Sequence, residues 1–82
     1  MTKKVIKELL KIDGEILSMC FEVAFIKKDD RFALVEYTGA KMGGDFNYFF
    51  RERIECHLIY QDYCNQVFLK GRGVLNLGLV DK

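Results

Sequence analysis

The sequence has no proline, no tryptophan, a single histidine and only three cysteines in 82 residues. Without proline, turns must rely on Gly, Asp and Asn, and no cis-proline step can slow folding. Cys20, Cys56 and Cys64 are odd in number and lack CxxC-type spacing, so reduced thiols in a cytoplasm are expected in place of a disulfide framework. Long hydrophobic runs are missing too. The longest apolar-leaning stretch, Ile16 to Ile26, is interrupted by Ser18 and Glu22 and is too short to span a bilayer. Lys3-Lys4 leads into an amphipathic pattern and not into the apolar core of a signal peptide. A soluble, cytoplasmic protein without membrane contact is the expectation. Charge of one sign is also lacking: 13 basic against 12 acidic residues give a net charge of +1. A dedicated duplex-DNA binder needs a clear basic surplus, because neutralising phosphates dominates its affinity.

Catalytic and metal-binding patterns are equally scarce. Cys56, His57, Cys64 and Cys20 are the only soft ligands, and zinc knuckles take paired ligands a few residues apart. If residues 53–60 are a strand, Cys56 and His57 face opposite sides of the sheet. Ser18 is the only serine and stands in no G-x-S-x-G. The Asp29-Asp30 pair falls in an expected exposed turn, and no helix signal follows Gly71 and Gly73 to make a phosphate loop. No enzyme, no metal and no cofactor are expected.

Hydrophobic periodicity marks the elements that are present. Val5, Ile6, Leu9 and Leu10 place an apolar stripe on a helix over residues 2–12, opposite Lys3, Lys4, Lys7 and Lys11. Asp13-Gly14 either ends that helix or forms a hairpin turn between two strands. Leu17, Met19, Phe21, Val23 and Phe25 alternate as one face of a strand over residues 16–26, although Ile16, Met19, Cys20 and Val23 also fit helical spacing. Lys27 to Asp30 reads as a polar turn into a second strand, Phe32 to Tyr37, giving an antiparallel hairpin. Gly39 to Asp45 is a glycine-rich loop. Phe46, Tyr48 and Phe50 then alternate, unless Asp45 caps a short helix running through Arg53.

Ile54, Cys56, Leu58 and Tyr60 give residues 53–60 the clearest alternation in the chain. Val67 to Lys70 and Val74 to Val80 read as two strands joined by Gly71-Arg72-Gly73. The expected fold is therefore α+β and mainly β. A short N-terminal helix precedes a bent antiparallel five- to six-stranded sheet or small barrel, in one domain over residues 1–82.

Half of the residues are hydrophobic, among them seven Phe and four Tyr. A body this small has little interior, so some aromatics are expected at a surface. The expected function is a non-enzymatic protein-interaction module of adaptor or inhibitor type, with self-association included. Phe49 breaks the alternation of its neighbours, and Tyr48, Arg51 and Arg53 flank it, so these four are the candidate partner-binding residues. The alternative partner is RNA or single-stranded DNA, because Phe46 to Arg53 interleaves aromatics with arginines. The segment Leu69-Lys70-Gly71-Arg72-Gly73-Val74 resembles the second motif of Sm-like RNA-binding proteins. That resemblance implies a helix followed by five bent strands, RNA contact through Lys70 and Arg72, and a ring-shaped oligomer.

Overall fold

A computed structural model describes residues 14–37 and 46–80 of the chain. The strands β1 (Glu15–Cys20), β2 (Val23–Lys28), β3 (Arg31–Tyr37) and β4 (Phe46–Arg51) are followed by a helix, α1 (Arg53–Lys70), and a 3-10 turn at Leu77–Leu79. The strands pair in sequence order as one four-stranded antiparallel sheet.

The β2–β3 hairpin follows directly from sequence chemistry. Lys28 pairs with Arg31, so Asp29 and Asp30 alone form the loop, at φ 53° and 61°. Two positive φ values in a two-residue loop match the right-handed twist of the strands, and the short polar aspartate tolerates that backbone better than bulkier residues. The β1–β2 hairpin was not legible in this way. The single strand expected over residues 16–26 is broken at Phe21, which stands at φ 52°. Non-glycine residues resist this conformation by about 1 kcal/mol. Here the turn is held from outside: the Glu22 N–H donates to the Tyr63 hydroxyl at 3.4 Å, and the Glu22 carbonyl accepts the Tyr37 N–H at 2.8 Å. A bulge between Ile16 and Ser18 further disturbs β1.

The largest correction concerns the second half. Residues 53–60, expected as a strand, open an 18-residue helix. Its buried residues are Cys56, Ile59, Tyr60 and Tyr63, a spacing of three, one and three that only a helix places on one side. The alternation of Ile54, Cys56, Leu58 and Tyr60 was misleading, because Ile54 and Leu58 are exposed. The hairpin expected over residues 67–80 is likewise absent. Its first half is the last turn of α1, and Gly71, at φ 75°, donates its N–H to the Val67 carbonyl at 2.8 Å as a left-handed helix cap. The three strands expected over residues 53–60, 67–70 and 74–80 are therefore removed from the expected five- to six-stranded sheet or small barrel, the one over 16–26 becomes two, and the described sheet has four strands. The fold implied by the Sm-like resemblance goes with them. The expected helix over residues 2–12, the Asp13-Gly14 turn that depended on it and the loop from Gly39 to Asp45 lie, wholly or in part, outside the described residues.

Beyond Gly71 the chain doubles back along α1. The Gln66 side-chain amide donates to the Val74 carbonyl and accepts the Val74 N–H, both at 3.0 Å, as a neighbouring strand would. Gly73 passes against the Tyr63 ring, where a Cβ would lie 2.9 Å from the nearest ring carbon.

α1 packs mainly on β3 and β2. Between helix and sheet lie Val23, Phe25, Leu34, Cys56, Ile59, Tyr60 and Tyr63, with Phe32, Phe49 and Leu75 among the partly buried residues around them. The other face of the sheet carries a second buried group, Ala24, Ile26, Ala33 and Val35, bordered by Ile16, Tyr37, Phe46 and Phe50. Both faces of the central strands are thus buried, which explains the continuous apolar reading of Val23 to Ile26 and Ala33 to Val35.

Candidate interaction surface

β4 supplies the most distinctive surface. It is an outer strand, paired with β3 on one side and with no partner on the other among the described residues. Its six residues, Phe-Asn-Tyr-Phe-Phe-Arg, contain four aromatics and neither proline nor lysine. Strand alternation places Phe46, Tyr48 and Phe50 on the face away from α1, and Asn47, Phe49 and Arg51 on the α1 face. The Phe46 and Tyr37 rings pack at a tilt of 48°, with centroids 5.5 Å apart. Tyr48 and Phe50 are nearly parallel, 13° between planes and 6.2 Å between centroids. Two cations close over this row: the Arg31 guanidinium is 4.0 Å from the Phe50 centroid, and Lys28 Nζ is 5.9 Å from that of Tyr48. Cations attracted to the negative ring faces hold the row in place while leaving Tyr48 exposed.

The four sequence-derived candidates do not form one patch. Tyr48 is exposed on the face away from α1. Phe49, its neighbour, turns the other way and is partly buried against the helix–sheet core. Arg51 shares that side and donates from Nη1 to the Phe50 carbonyl at 2.8 Å. Arg53 begins α1, exposed, with its guanidinium 5.5 Å from the Phe32 ring centroid. Lys70 and Arg72 are exposed at the opposite end of α1, ~25 Å from Arg53 at a rise of about 1.5 Å per residue.

Two clefts flank the junction between β4 and α1 and share Glu52. One, of about 330 Å³, is lined by Asp30, Arg31, Phe32, Phe50, Arg51 and Glu52. The other, of about 440 Å³, is lined by Phe25, Glu52, Arg53, Ile54 and His57. Both mix acids with guanidinium groups, and no buried side-chain polar atom among the described residues lacks a hydrogen-bond partner. No three of the described His, Cys, Asp and Glu side chains converge as metal ligands. Cys56 is buried and donates to the Arg51 carbonyl at 3.6 Å, while His57 faces out. Burial pushes the Cys56 thiol up from its ordinary range, which slows thiolate attack at neutral pH.

Exposed apolar side chains recur elsewhere. Phe68 and Leu69 at the end of α1 are 77% and 80% exposed, and Val74, in the segment that follows, is 73% exposed. Sequence reasoning missed this patch because a terminal hairpin would have paired these residues. The signal available was helical: Val67 continues the buried row of Ile59, Tyr60 and Tyr63, which leaves Phe68 and Leu69 on the outer side. Among the described residues, no helix is long and apolar enough to cross a membrane. Comparison with known proteins finds no matching family model, no matching curated protein and no matching solved structure.

Proposed function

We propose that this domain is a non-enzymatic protein-interaction module, cytoplasmic and of adaptor or inhibitor type, and that it associates with a second copy of itself along β4. The observation that carries the reading is the contrast between the two outer strands. β1 is bent by a bulge, a device that blunts an edge, whereas β4 is regular, aromatic and unpaired on its outer side among the described residues. An open row of backbone N–H and C=O groups is a template for strand addition. Two copies related by a two-fold axis perpendicular to the sheet would pair antiparallel with the same faces up. Tyr48 of one copy would then meet Tyr48 or Phe50 of the other, and the aromatic row would run unbroken across the junction. The exposed Phe68, Leu69 and Val74 leave apolar surface for a heterologous partner.

The test is sedimentation velocity over a wide concentration range, paired with amide hydrogen exchange of β4. A monomer–dimer equilibrium, weakened at least tenfold in Kd by Tyr48→Lys, is expected, with β4 amides better protected as concentration rises. A strict monomer with concentration-independent exchange would end the self-association reading.

One observation favours RNA or single-stranded DNA as a second reading. The Arg31–Phe50 and Lys28–Tyr48 pairs set cations over aromatic rings, with Tyr48 exposed, as base-stacking sites do. Fluorescence anisotropy with a short oligonucleotide at two salt concentrations checks it. Salt-steep binding reduced by Arg31→Ala supports this reading, and no binding at low salt removes it.

A further inference from the structure

Between β1 and α1 lies a polar seam that the interaction reading does not use. The Ser18 Oγ and Tyr60 hydroxyl are 2.9 Å apart, and the Tyr63 hydroxyl accepts the Glu22 N–H at 3.4 Å. These two contacts bracket residue 20 on the strand. On the helix, Cys64 follows Tyr60 by four positions and therefore stands one turn along the same face. Ser18 and Cys20, two apart on β1, also share a face. The two rows align so that Ser18 meets Tyr60 and Cys20 meets Cys64. Both cysteines pack on the same helix–sheet core and both are half-buried, with Cys20 near enough to act on the Cys64 thiol. Cys56 packs on that core too, but it is fully buried and its Sγ is engaged by the Arg51 carbonyl.

We infer that Cys20 and Cys64 are a redox-active dithiol that forms a reversible internal disulfide, with a low-molecular-weight disulfide such as glutathione disulfide as oxidant. One cysteine thiolate attacks the oxidant's S–S bond, giving a mixed disulfide on the protein and one glutathione thiolate. The second cysteine, as thiolate, attacks the protein sulfur and displaces the other glutathione. The two protein thiols surrender two electrons and two protons, and the oxidant is reduced to two glutathione thiols. The new bond ties the outer strand β1 to α1, fixing the side of the sheet opposite β4. Burial together with the Cys20 contact holds the Cys64 thiol up at about 11. Thiolate attack from this site is therefore slow at neutral pH and quickens as pH rises. In a glutathione-buffered compartment such a pair rests reduced and closes when the disulfide fraction climbs.

The experiment equilibrates the native, reduced chain with glutathione and glutathione disulfide at stepped ratios, followed by acid quench, alkylation and mass spectrometry. The expected product has lost about 2 Da, the signature of one internal S–S bond. It yields a linked peptide containing Cys20 and Cys64, keeps Cys56 alkylated, and reverts with dithiothreitol. Cys20→Ser and Cys64→Ser should each abolish the mass loss and trap a single glutathione adduct on the remaining cysteine of the pair. Linkage through Cys56, double glutathione adducts without an internal bond, or thiols unchanged at the most oxidising ratio would each overturn the inference. The wild-type measurement decides this even if a variant folds poorly.

Discussion

Tyr60 carries a hydroxyl into the space between α1 and β1, and its chemistry is set by that position. Burial pushes its pKa up to about 12 from an ordinary 10.0, against the opposing pull of the Ser18 hydrogen bond. Burial raises Tyr63 in the same direction. The folded chain thus holds these phenolic protons more tightly than the unfolded chain does. The associated stability is complete below pH 10 and is lost as pH rises from there to about 12. Denaturant midpoints measured across that range should fall, and Tyr60→Phe should flatten part of the fall. Two glycines offer a second residue-scale contrast. Gly71→Ala meets no neighbouring atom but forces alanine to φ 75°, a cost of about 1 kcal/mol. Gly73→Ala drives a methyl against the Tyr63 ring and carbonyl, and overpacking of this kind costs about 1–3 kcal/mol. Urea unfolding of the two variants checks both, with Gly73→Ala expected to be the more damaging.

At the scale of elements, α1 is where periodicity was ambiguous. A strand over residues 53–60 would bury Leu58 and expose Ile59; the helix does the reverse, leaving Leu58 41% exposed and Ile59 at 0%. Ile59→Ala should therefore cost about 2–5 kcal/mol, as a buried cavity does, and Leu58→Ala under about 1 kcal/mol. Equal losses would contradict the helix. The polar and apolar faces of α1 differ little, because Ile54, Leu58, Phe68 and Leu69 face outward while Tyr60, Tyr63 and Cys64 face in. That blurred contrast is why an amphipathic pattern did not announce the helix. By comparison, the β2–β3 hairpin was plain: strand-forming residues flank an Asp-Asp turn whose side chains suit positive φ. The alternation of Phe46, Tyr48 and Phe50 left a strand and a short helix through Arg53 both open, and the structure has the strand, β4.

For the whole molecule, the proposed association couples stability to concentration. A dimer that binds only folded chains raises the unfolding midpoint with protein concentration. Calorimetry over a hundredfold concentration range should show the thermal midpoint climbing by several degrees, and Tyr48→Lys should remove the dependence. Of the candidate partner-binding residues, the structure separates two neighbours. Tyr48 was singled out, and it stands exposed within the aromatic row. Phe49 was singled out for breaking the alternation, yet strand geometry turns it towards α1, against the helix–sheet core. Arg31 and Lys28, which complete the row, come from the preceding hairpin and gave no local sign of meeting Tyr48 and Phe50.

Balanced charge and short-range turn chemistry already pointed to a small domain with antiparallel strands, including the β2–β3 hairpin and the alternation of Phe46, Tyr48 and Phe50. Those features depend on neighbours along the chain, so they can be read in order. Tertiary structure alone decided that residues 53–70 are helical and that the chain reverses at Phe21. It alone also packed Cys20 and Cys64 against one core. Local preferences of a few tenths of a kcal/mol per residue cannot separate helix from strand there. Burying Ile59, Tyr60 and Tyr63 against β2 and β3 is worth several times more, and that gain exists only once the sheet is in place.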